Sequence, residues 1–88
     1  MCTYICNTTS VTGAGKGAEG WFRVSEASVG FDHPTYTSVD HALLIDFTGP
    51  GDGLGSRVAV ELDIDSGRAL LEALADTIRA AELSGVAH

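Results

Sequence analysis

Ser28-Val-Gly-Phe-Asp-His-Pro-Thr-Tyr-Thr-Ser-Val-Asp-His-Ala-Leu-Leu-Ile-Asp-Phe47 is the stretch from which the fold can be read. Apolar residues alternate at Ala27, Val29 and Phe31 and again at Leu43, Ile45 and Phe47, the period-two pattern of half-buried strands. Antiparallel pairing with Phe31 opposite Leu43 sets Val29 against Ile45 and Ala27 against Phe47. Continued one step, the same alternation brings His33 opposite His41, on the apolar face and at the loop end. Directly opposed Cβ atoms lie only ~5 Å apart. Two imidazoles at that separation can share a metal ion, share a proton, or grip one ligand.

Upstream, residues 2–12 are rich in β-branched and aromatic side chains and read as a first strand. With that strand extended, Cys2, Tyr4 and Cys6 share one side and Thr3 and Ile5 the other. Gly13-Ala-Gly-Lys-Gly17 reads as a tight turn and not as a phosphate loop, because no Ser or Thr follows Lys16 and no helix follows the glycines. A second strand is expected over 18–24, and a short break at Ser25-Glu26 separates it from a strand over 27–33. Trp21 and Phe22 point to opposite sides, so one aromatic needs cover from outside the main core: the loop after His33, a second subunit, or a ligand.

Downstream, a strand over 41–48 leads into the Gly/Pro-rich loop Thr48–Ser56 and then into an alternating strand over 57–62. Asp63-Ile-Asp-Ser-Gly is a helix start, with an Asp available as N-cap, and Gly85 is a stop, giving a helix over about 64–84. Leu70, Leu71, Leu74, Ile78 and Ala81 form one apolar stripe on it. The expected fold is α+β: an antiparallel sheet of four to five strands with one C-terminal helix packed on one face. The stripe is expected to cover Val29, Phe31, Leu43, Ile45, Val58 and Val60. The other sheet face is polar and small-sided. It, or the surface around Trp21 and Phe22, is the expected contact of a homodimer.

In 88 residues there is room for a single domain. Twelve acidic against five basic residues give a net charge of −7, which repels phosphate backbones and anionic lipid, so neither nucleic acid nor membrane is an expected partner. The chain shows no secretory leader and no apolar run approaching the ~20 residues of a membrane span, so a cytoplasmic protein with reduced Cys2 and Cys6 is expected.

Met1-Cys-Thr-Tyr, Gly20-Trp-Phe, Phe31-Asp-His-Pro, Asp40-His-Ala, Ile45-Asp-Phe and Arg57-Val-Ala-Val-Glu-Leu together resemble a small actinobacterial family of uncharacterised proteins. The likeness covers nearly the whole chain, and Cys6 departs from the family pattern. The resemblance implies similar domain boundaries and no established activity.

A purely structural role fits the histidines, hydrogen-bonded to loop carbonyls or to Asp32 and Asp40, and three chemistries fit these residues besides. A transition-metal site, zinc or iron, would use His33 and His41 with Cys2 as third ligand and an open position for catalysis, since imidazole and thiolate suit those ions. Metal-free acid–base or nucleophilic chemistry would pair Cys2 with one histidine. A non-catalytic dimer would bind a small molecule or partner at the central loop. Tyr36 and Asp40, between the histidines, are the next candidates for substrate contact or catalysis.

Overall fold

The computed structural model describes residues 5–51 and 54–86. Four strands, β1 (Ile5–Gly17), β2 (Gly20–Asp32), β3 (Ala42–Thr48) and β4 (Arg57–Leu62), make one antiparallel sheet in chain order. A 3-10 turn at Leu54–Ser56 leads into β4, and one helix, α1 (Ile64–Ser84), follows it. The fold is α+β. In the central hairpin Phe31 pairs with Leu43, Val29 with Ile45 and Ala27 with Phe47. On the next ladder Ile45 pairs with Val60 and Phe47 with Val58, which extends the apolar face across three strands. Val24, Ala27 and Ala42 are buried, and Ala42 is fully enclosed.

The glycine run is not the turn that its composition suggests. Gly13–Gly17 continues β1, and the chain reverses at Ala18-Glu19 between the paired Gly17 and Gly20. Gly20, at φ 112°, takes the positive φ of the turn, a conformation open to glycine at no steric cost. The run serves close approach instead. A Cβ on Gly15 would stand 3.0 Å from Val24 Cγ2, and one on Gly17 would meet the carbonyl oxygen of Gly55. Phe22 lies over Gly15, Gly17 and Gly49, so this aromatic is covered by backbone. Trp21, on the other side, is 72% exposed. Ser25-Glu26 makes no break either: a shift in β1 between Ser10 and Gly13 absorbs the irregularity, and β2 runs through as one strand of 13 residues.

α1 is defined at both ends by its caps. Asp63 accepts the Ser66 N–H at 2.7 Å, and this bond, with a further one from the Ser66 hydroxyl, holds its carboxyl below the usual range. Gly85, at φ 79°, closes the other end by donating its N–H to the Glu82 carbonyl. The seat of the helix departs from expectation. It meets β3 in its first turn, where Gly67 sits against Leu43, and it has no buried residue. Leu71, Leu74 and Ile78 remain 61%, 56% and 52% exposed. The link explains this. Asp63 alone joins β4 to α1, whereas connections that turn a strand back into a covering helix usually take ~2–6 residues. The molecule is accordingly extended, with a radius of gyration of 14.5 Å, against ~12 Å for a compact chain of this length.

Candidate functional site

His33 and His41 flank the connection between β2 and β3, one residue beyond each strand end. Their ring centres stand 4.5 Å apart, with the planes tilted by 35°. Phe31, one step back along the same face, stacks on His41 at 5.5 Å. His33 is held from two sides. Its backbone N–H donates to Asp32 Oδ1 at 2.7 Å, and its Nδ1 lies 3.1 Å from the Asp40 carbonyl oxygen. A carbonyl only accepts, so Nδ1 carries a proton in this bond.

The connection itself is tied to β4. Glu61 accepts the backbone N–H groups of Thr35 at 2.6 Å and of Tyr36 and Thr37 at 2.9 Å, with the Thr37 hydroxyl at 3.0 Å. Three successive amides converge on one carboxylate, as they would on a bound anion. The Thr35 amide is the main cause, followed by those of Thr37 and Tyr36, of a Glu61 pKa lowered to about 2. Alternation along β4 marks Glu61 only as facing away from the apolar side. Its partners lie 24 to 26 residues away, and no short-range pattern announces such a pairing.

Of the other residues singled out in the sequence, Tyr36 is 93% exposed and meets Glu61 through its backbone. Asp40 contributes its carbonyl to His33. Cys2 lies outside the described residues. Cys6 is on the opposite sheet face, 3.7 Å from the Ser28 hydroxyl, in a polar groove that also holds the Arg57–Asp46 ion pair at 2.7 Å. Among the described residues, no group of three or more His, Cys, Asp or Glu side chains is arranged to hold a metal ion. The histidine pair therefore supplies two donors.

A profile described as a family of unknown function, DUF6295, matches residues 1–87. The chain belongs to that family. No curated protein and no solved structure matches it. Membership in DUF6295 assigns no activity, so function rests on the geometry of the site. Among the described residues, no helix is long and apolar enough to cross a membrane.

Proposed function

We propose that this is a cytoplasmic metal-binding protein that holds a divalent transition ion, zinc or iron, between His33 and His41. The observation that carries the reading is the 4.5 Å separation of the two rings. Imidazoles that bind one ion through bonds of ~2.1 Å stand with their ring centres ~5 Å apart. The Nδ1–H of His33, given to the Asp40 carbonyl, adds to this, because metal-binding histidines commonly donate their second ring nitrogen to a carbonyl or carboxylate.

In this reading the chain's residues orient the donors. Asp32 and the Asp40 carbonyl fix the His33 ring, Phe31 backs His41, and Glu61 sets the loop between them. An ion with an open position would supply Lewis acidity and a bound water of lowered pKa, the requirement for hydrolysis of a small metabolite.

The test is elemental analysis of protein purified without a metal-affinity column, with His33→Ala and His41→Ala in parallel. About one zinc or iron ion per chain is expected in the native protein, lost in both variants. Metal-free native protein that takes up neither ion on reconstitution would refute the assignment.

A further inference from the structure

Among the described residues two apolar surfaces lie open, one on the sheet and one on the helix. On the sheet, Ile5, Val29, Phe31 and Leu43 line an open apolar groove that reaches Ile64, and Val29 and Val60 are more than one third exposed. On α1, Leu70, Leu71, Leu74 and Ile78 form a stripe that stays about half exposed or more, and Gly67 is the one residue of the helix that is not exposed. Soluble proteins seldom leave contiguous apolar surface of this kind in water. Within one chain the two cannot meet fully while Asp63 is the whole link and Gly67 is already against Leu43.

We propose that a second copy of this chain supplies the cover, the α1 stripe of each copy seating on the Val29/Phe31/Ile45/Val60 face of the other in a two-fold exchange. Short links that prevent an element from folding back favour exchange between identical copies, because every contact missing in one chain is then made between two. The area suffices. A helix of 21 residues is ~31 Å long and ~10 Å wide, and two such contacts, counted on both surfaces, bury on the order of 1,200 Å², the lower end of stable specific interfaces. The opposite sheet face is the poorer interface, since it carries the Arg57–Asp46 ion pair and the polar groove around Cys6 and Ser28. The exchange is independent of any metal at the histidine pair.

The test is the mass of the full chain in solution by sedimentation velocity, for the native protein and for Leu74→Ser/Ile78→Ser. Both positions are exposed within one chain, so this variant keeps its sheet while losing the proposed contact. The expected result is twice the 9.1 kDa chain mass for the native protein and the single-chain mass for the variant. A monomeric native protein, whether self-covered or awaiting an unrelated partner, would overturn the proposal, as would a variant that stays dimeric. Isotope-filtered NMR on a mixture of labelled and unlabelled native chains decides the geometry. Intermolecular contacts between Ile78 and Val29 or Val60 methyl groups are expected, and a dimer showing only intramolecular ones would also overturn it.

Discussion

The β2–β3 connection and α1 make an instructive pair. The connection has almost no regular structure, yet Glu61 gathers its amides, Asp32 and Asp40 hold His33, and Phe31 backs His41. α1 is regular and capped at both ends, yet it has no buried residue. Regularity and tertiary anchorage are separate properties. Backbone hydrogen bonds and caps satisfy a helix locally and leave its apolar stripe to find a partner, whereas an irregular loop persists only where outside groups satisfy its amides. The loop bearing the candidate site is thus held by groups of its own chain, whereas the apolar stripe of the helix is exposed.

The largest expected effect sharpens the comparison by asking what a region fixed by close backbone contact tolerates. A Cβ on Gly49 would run into the Arg23 carbonyl oxygen, and backbone does not yield as a side-chain tip does. Gly49→Ala is expected to lower unfolding free energy in denaturant titrations by ~2 kcal/mol. Gly13→Ala, with nothing within 4 Å of the new methyl, is expected to change it by no more than ~0.5 kcal/mol.

Next comes the anchor. Glu61→Ala removes the acceptor of three loop amides, and hydrogen exchange at Thr35, Tyr36 and Thr37 is expected to accelerate on the order of tenfold or more. Amides of α1 should not change, and a shared response would break the distinction between the two regions. Acid probes the same anchor without mutation. The Glu61 carboxyl is lowered from 4.5 to about 2, so its contribution is fully present above pH 4.5 and is lost as pH falls towards 2. Amide protection at 35–37 should therefore decline between those limits in the native protein, and this decline should be absent in Glu61→Ala. The smallest effect is at the helix start, where Asp63→Ala removes the acceptor of the Ser66 N–H. A modest loss of far-ultraviolet helical signal is expected, with the loop amides unaffected.

The same comparison marks how much the sequence discloses. Alternation sets the register of the central hairpin, and with it the approach of the two histidines, because a one-residue slip would turn every apolar side chain outward. Asp63 and Gly85 mark the helix ends, since cap residues act locally. The glycine run misleads because glycine suits a tight turn and a close backbone approach equally, and the choice lies in Phe22 and Gly55, which pack there only after folding. The Glu61 anchor is invisible because it joins residues 24 to 26 apart with no periodic signature. The stripe on α1 announces that an apolar partner is required and is silent on which chain provides it.

The candidate site itself is tested most directly by nitrogen-15 NMR of the histidine rings during zinc titration above pH 7.5. Before zinc, His33 should carry its proton on Nδ1, as its bond to the Asp40 carbonyl requires. With stoichiometric zinc, the His33 and His41 rings should shift together, His33 through Nε2 and with Nδ1–H retained. A shift confined to one ring, coordination of His33 through Nδ1, or no shift at either ring would contradict a metal held between them.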